Sequence, residues 1–121
     1  MKNIINAVIL LFTVFAFAQY PDTTPGSREI REQAKELTIA YDQQLALDGD
    51  QLPIFQDKVE DYLVLSYKIK EDLEGKEELD ALTELMVKET LDMQDILTRP
   101  QFIIYKRIRQ DVQPIKVVEV K

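Results

Sequence analysis

The chain has 121 residues, with 15 Lys plus Arg against 22 Asp plus Glu and a formal net charge of −7, so it forms one acidic domain at most. It contains no Cys, no His and no Trp. This composition excludes disulfides, thiol nucleophiles, His or Cys metal sites and Ser-His-Asp triads.

The first 18 residues differ in character from the rest of the chain. Lys2 precedes an apolar stretch from Ile4 to Ala18 that ends in Ala-Phe-Ala. This pattern is typical of a secretory signal peptide over residues 1–18, cleaved near Ala18 and Gln19. The alternative is a membrane anchor, but a spanning helix needs about 20 apolar residues. We therefore predict a periplasmic or otherwise secreted protein that is not stably inserted in a membrane after cleavage.

The segment after the signal peptide predicts a leader and then a first helix. Residues 19–26 contain two Pro and one Gly and are expected to form a flexible leader. A helical domain is predicted over residues 27–114, and its first helix runs from Ser27 to near Ala46. The apolar residues of this helix recur every three or four positions: Ile30, Ala34, Leu37, Tyr41 and Leu45.

The second predicted helix has a heptad pattern. The seam consists of Phe55, Val59, Tyr62, Ser66, Ile69 and Leu73. The nearly apolar run at residues 62–67 widens this seam, so the helix needs more than one neighbour. Gly75 follows at a position where a left-handed residue commonly closes a helix.

Two more helices complete the predicted fold. Helix 3 is expected over residues 77–96, and its apolar face contains Leu79, Leu82, Leu85, Met86, Met93 and Ile96. Helix 4 begins after Thr98 and ends at Pro114, and residues 115–121 form a C-terminal tail. The expected fold is all-α, with four helices in antiparallel hairpins. Since such short hairpins bury a thin core, we expect a homodimer.

A capping box is predicted at the start of helix 4. The Thr98 hydroxyl can accept from the backbone N–H of Gln101, while the Gln101 side chain accepts from the N–H of Thr98. Leu97 and Phe102 flank this cap and can form a hydrophobic staple. Thr98 and Gln101 are therefore assigned a structural role.

The same arrangement recurs 50 residues earlier, at the start of helix 2. Asp48 takes the place of the capping Thr, and Gln51 is its reciprocal partner. Leu47 and Leu52 are placed to form the corresponding staple. Asp48 and Gln51 are likewise expected to be structural.

These two Leu-(Thr/Asp)-x-x-Gln elements resemble the LTxxQ-motif family of periplasmic proteins, which includes Spy and CpxP. The resemblance covers roughly residues 27 to 114, and it is closest to small flavobacterial members, some described as sensors of ECF-type sigma factors. The second element matches the motif fully, and the first has Asp48 where the family has Thr. The resemblance implies a curved antiparallel dimer whose concave face binds unfolded proteins, its clients, without ATP.

A basic cluster on helix 4 is the predicted client or partner contact. Its members are Lys106, Arg107 and Arg109, with Arg99 one or two turns earlier. An alternative interpretation is a solvated helix end whose cations complement the helix dipole. The aromatic residues predicted to contribute apolar contacts are Phe55, Tyr62 and Tyr67.

The remaining residues do not indicate catalysis. Ser66 lies in the helix 2 seam, where it can bond to a backbone carbonyl of its own helix, and no His is available to activate it. We therefore predict a protein that is not an enzyme, with no metal or cofactor. Its acidic charge argues against nucleic acid as a partner.

The predicted function is protein binding, as an ATP-independent chaperone or holdase or as an envelope-stress accessory. Two alternatives remain open. One is a regulatory sensor component that binds a sigma or anti-sigma partner, and the other is a structural envelope protein.

Overall fold

Residues 24–116 are described by the computed structural model, and they form four helices with no strand among them. These are α1 (Arg28–Leu45), α2 (Gln51–Asp72), α3 (Gly75–Ile96) and α4 (Arg99–Val112). The all-α, four-helix prediction is confirmed. The predicted signal peptide, leader residues 19–23 and tail residues 117–121 lie outside the described residues.

The ends of α1 follow from local side-chain chemistry. The Ser27 hydroxyl accepts from the N–H of Ile30 at 3.4 Å, which caps the first turn. After Leu45 the backbone turns left-handed at Ala46, with a φ of 52°. The Asp42 carboxylate then accepts from the N–H of Leu47 at 2.7 Å and holds the turn toward α2.

The turn between α2 and α3 differs in one respect from the prediction. Gly75 is left-handed, with a φ of +59°, but it opens α3 rather than closing α2. The residue that closes α2 is Leu73, which is extended. A Cβ at position 75 would meet no atom within 4 Å, so glycine is favoured there by its backbone conformation and not by lack of space.

The four helices pack in a ring around a shared core. Packing joins α1 to α2, α2 to α3, and α4 to both α1 and α3. At the centre, the Tyr41 ring lies 5.3 Å from that of Phe55 and 5.1 Å from that of Tyr105, measured between centroids. All three rings are fully buried, so Phe55, predicted as a client contact, is a core residue instead.

The predicted heptad seam of α2 is wrong in its second half. The buried residues of this helix are Phe55, Val59, Leu63 and Val64. The predicted seam residues that stay partly exposed are Tyr62, Ser66, Ile69 and Leu73. The buried residues Phe55, Val59 and Leu63 are spaced by four, and Val64 adds a second buried side. This arrangement fits a helix that packs between two neighbours in a bundle, and it differs from the single seam of a two-stranded coiled coil.

Both capping elements contain the predicted reciprocal hydrogen bonds. Gln101 donates its N–H to the Thr98 hydroxyl at 3.4 Å, and Thr98 donates its N–H to the Gln101 Oε1 at 2.9 Å. In the first element Gln51 donates its N–H to the Asp48 Oδ1 at 2.8 Å, and Asp48 donates its N–H to the Gln51 Oε1 at 3.0 Å. The regular helix there begins at Gln51 and its N-cap residue is Asp50, so Asp48, the predicted cap, lies two residues before the N-cap position. The four predicted staple residues belong to or pack against the core: Leu47, Leu52, Leu97 and Phe102.

The two capping elements also meet in space. The side-chain amide of Gln51 donates to the Gln101 Oε1 at 2.7 Å, and that of Gln101 donates to the Gln51 Oε1 at 3.0 Å. Gln51 also donates to the carbonyl of Ile96 at 3.1 Å, while Gln101 donates to that of Leu45 at 3.2 Å. Each glutamine therefore caps its own helix and bonds the end of the first helix of the other hairpin.

Candidate functional site

The candidate site is an open cleft where α4 ends before its neighbours. α4 has 14 residues and α3 has 22, so α4 cannot cover the N-terminal part of its antiparallel neighbour. The cleft has a volume of about 280 Å³ and is lined by α1, α2, α3, the end of α4 and residues 113–116. Its apolar walls contain Leu37, Leu63, Leu82, Leu85, Met86 and Val112.

The short α4 also explains a difference from the predicted apolar face of α3. Leu82 and Met93 are buried as expected, but Leu79 is 44% exposed. Leu79 lies near the start of α3, opposite the end that is joined to α4. The first turns of the apolar face of α3 therefore lie outside the core. The part that follows, at Leu82, Leu85 and Met86, forms a wall of the cleft.

A buried ion pair forms part of the cleft lining. Arg109 on α4 donates from its Nη2 to the Glu89 Oε1 on α3, and from its Nη1 to the carbonyl of Gln113 at 3.3 Å. Glu89 is 2% exposed and Arg109 is 8% exposed. Within residues 24–116, the second carboxylate oxygen of Glu89 and the Nε of Arg109 have no hydrogen-bond partner.

The burial of this pair shifts the pKa values of both groups. Desolvation raises the pKa of Glu89 above its ordinary value, a shift that the charge of Arg109 opposes and that of Asp92 reinforces. Desolvation lowers the pKa of Arg109, but the negative charge of Glu89 favours the charged guanidinium and the net shift is upward, so Arg109 stays protonated. The pair joins α3 to α4, and without either member the other charge would be buried without a counter-charge.

Tyrosine hydroxyls connect the helices around the cleft. Tyr62 on α2 donates to the Asp92 Oδ2 on α3 at 2.7 Å, and Tyr67 on α2 donates to the Gln33 side chain on α1. Burial and the bond to Asp92 raise the pKa of Tyr62 to about 12. Tyr41 in the core donates to the Gln113 Oε1 at 2.7 Å, which fixes the segment after α4. The raised pKa values of Tyr41 and Tyr62 keep these two hydroxyls neutral donors at physiological pH.

Three of the predicted contact residues come together in the cleft, and the others do not. Tyr62, Tyr67 and Arg109 all line it. The exposed residues Lys106 and Arg107 lie elsewhere on α4, and Lys106 places its Nζ 4.7 Å from the centroid of the Phe102 ring. Arg99, also exposed, is the first residue of α4.

The predicted basic surface on α4 therefore needs a correction. Arg109 is not part of a solvent-facing cluster, because it points inward to Glu89. Its bond to the Gln113 carbonyl places a cation at the helix end, as in the alternative interpretation, but Arg109 is buried and not solvated.

Glu89 is the site residue that the sequence analysis missed. It lies between Met86 and Met93, three and four residues away, on the apolar stripe of α3. A carboxylate in the middle of such a stripe is a signal for a buried, paired charge. The partner could not be identified in advance, since Arg109 lies in another helix.

The hydroxyl of Ser66 also lies in the cleft lining. Ser66 donates to the carbonyl of Leu63 at 2.9 Å, as predicted, and this hydrogen bond lies within its own helix. Over residues 24–116, no cluster of three or more acidic side chains is arranged to hold a metal ion. None of the helices α1 to α4 combines the length and hydropathy needed to cross a bilayer.

No protein-family model matches the chain, and neither the curated proteins nor the solved structures contain a match to it.

Proposed function

We propose that the chain is a protein-binding module, acting in the periplasm as an ATP-independent chaperone or as an envelope-stress accessory. The observation that carries the proposal is the open cleft, which presents apolar side chains and hydrogen-bonding groups together. An incompletely buried apolar site of this kind holds a segment of another protein by several weak contacts.

Three further features support the proposal. The two capping elements resemble those of the LTxxQ family, and the N-terminal residues resemble a signal peptide. Lys106 and Arg107 give an acidic molecule a local positive surface that can attract clients at long range. We further propose that the protein acts as a homodimer, since a domain of this size has limited surface to bury by itself.

Aggregation suppression tests this function. The protein is purified after export from the cell that produces it. It is then mixed at stoichiometric ratio with each of two unrelated unfolding proteins in turn, without ATP, at low and moderate salt. Suppression of both supports a chaperone. A folded sample that suppresses neither overturns it and favours the alternative regulator, which should bind one partner tightly.

Matched variants assign the activity to a surface. Leu85→Asn with Met86→Asn makes the cleft polar, and Leu79→Asn with Val87→Asn makes the same change at two exposed apolar residues outside it. Lys106→Glu with Arg107→Glu tests the basic residues of α4 separately. We expect the cleft variant to lose most of its suppression, the α4 variant to lose its salt dependence, and the control to retain activity.

A further inference from the structure

The charge of the cleft is opposite to that of the molecule. The residues that line it include three basic side chains, Lys70, Arg109 and Lys116, and one acidic side chain, Glu89. The whole chain has a formal charge of −7. Since Arg109 and Glu89 neutralise each other in the ion pair, the net positive charge of the cleft comes from the two lysines.

Both lysines are positioned to contact a ligand. Lys70 near the end of α2 and Lys116 after α4 are exposed, and neither forms an ion pair with another residue of the 24–116 segment. They lie at the edge of a cleft whose walls contain Leu82, Leu85 and Met86. A ligand that fits must therefore combine an apolar group with negative charge beside it.

The size of the cleft restricts the apolar group. A volume of about 280 Å³ is at or below the lower end of the range for small-molecule pockets, which starts at about 300 Å³. It accommodates one or two side chains rather than an enclosed organic ligand. The open side leaves room for the rest of a polypeptide to continue into solvent.

We propose that the cleft binds a partner-protein segment in which one or two large apolar side chains are flanked by Asp or Glu. The apolar side chains pack against Leu82, Leu85 and Met86, and the carboxylates pair with Lys70 and Lys116. This inference rests on the proposed protein-binding function and specifies its substrate class.

Fluorescence anisotropy with designed peptides tests the preference. The first probe is a short labelled peptide with two leucines one helical turn apart among glutamates. In the second peptide lysines replace the glutamates, and in the third serines replace the leucines. We expect the first peptide to bind roughly tenfold or more tightly than the other two, since each lacks one of the two required features.

Charge-reversed protein variants assign the binding to the cleft. Lys70→Glu with Lys116→Glu should weaken the glutamate peptide roughly tenfold and remove the salt dependence of its binding. The control is Lys35→Glu with Lys88→Glu, two exposed lysines outside the cleft that give the same change in net charge. Circular dichroism confirms that both variants fold.

Several results would overturn the proposal. Equal binding of the glutamate and lysine peptides removes the charge preference, and equal weakening by both variant pairs places the binding elsewhere. Binding only after removal of residues 117–121 would make the chain's own C-terminus the occupant. Binding that appears only with self-association of the protein would assign the cleft to a second copy.

These failures are distinct from a failure of the proposed function. If aggregation is suppressed while the glutamate peptide has no preference for the cleft, the protein binds clients by another surface. If the peptide binds as expected while the aggregation of neither protein is suppressed, the cleft binds a specific partner and the protein is not a general chaperone.

Discussion

Glu89 and Arg109 form a buried ion pair that joins α3 to α4 beside the cleft. Its two charges come from helices whose mutual packing is less extensive than that of α1 with α2. Each charge offsets part of the desolvation penalty of the other in the interior. The pair therefore fixes the position of the short α4 against α3 at Arg109 and Glu89.

Removal of one member of this pair should destabilise the protein more than removal of both. Glu89→Leu leaves Arg109 buried without a counter-charge, and we expect a loss of about 3–5 kcal/mol in the free energy of unfolding. Glu89→Leu with Arg109→Met removes both charges and should restore a large part of that loss. Urea unfolding followed by far-UV circular dichroism measures both variants. A double variant that is less stable than the single one contradicts this interpretation.

Glu89 should also give the protein a distinctive pH dependence. Because burial raises its pKa in the folded state above the ordinary 4.5, the folded protein binds more protons than the unfolded chain between that value and the folded pKa. The part of the stability that depends on protonation of Glu89 is therefore fully present below the ordinary pKa and is lost as the pH rises through the folded pKa, above which the charged Glu89 is paired with Arg109.

This linkage is measured against a variant without the titrating group. The unfolding free energy of the wild type and of Glu89→Gln is compared from pH 4 upward. The wild type should lose stability relative to the variant as the pH rises, and a difference that grows in the opposite direction would contradict the raised pKa. Glu84→Gln, an exposed change on the same helix, controls for the loss of one negative charge.

The glutamine pair should behave as one energetic unit. Gln51→Ala and Gln101→Ala each leave backbone groups and the other carboxamide without partners, so we expect each to cost about 1–3 kcal/mol. A double-mutant cycle should give a coupling of about 0.5–3 kcal/mol between them. Gln44→Ala, at an exposed position of α1, is the control. Strict additivity would show that the side-chain contact contributes nothing.

The Thr98 cap should affect stability alone. Thr98→Ala removes the acceptor for the N–H of Gln101 and should cost about 1 kcal/mol. Thr98→Ser retains the hydroxyl and should cost less. Client binding per folded molecule should stay unchanged in both variants, because Thr98 does not line the cleft. A selective loss of binding would assign Thr98 to a contact surface.

Local sequence patterns were sufficient to predict the four helices and the reciprocal hydrogen bonds of the two capping elements. A capping box depends on residues three positions apart, so Thr98 and Gln101 could be assigned without tertiary information. The bonds between Gln51 and Gln101 could not be predicted, since they depend on how two hairpins meet. The same limit applies to Phe55, which has the same apolar character whether it lies in a core or on a binding face.

The charged residues of the site were the hardest to predict. Arg109 follows Lys106 and Arg107 closely in sequence, but the helical rotation of about 100° per residue sends it to the opposite side of α4 from Arg107. Its burial is decided by Glu89, 20 residues earlier on another helix. Glu89 and Arg109 each stand at a core position of an apolar face, but the pairing between them depends on how α3 and α4 pack.

The exchange of carbonyl partners between hairpins has a consequence for cooperativity. Gln101 serves the end of α1 and Gln51 serves the end of α3, so opening either hairpin removes hydrogen bonds from the one that remains. Neither hairpin is a self-sufficient folding unit in this arrangement. We therefore expect the two halves of the domain to unfold in a single transition, without a half-folded state that retains one intact hairpin.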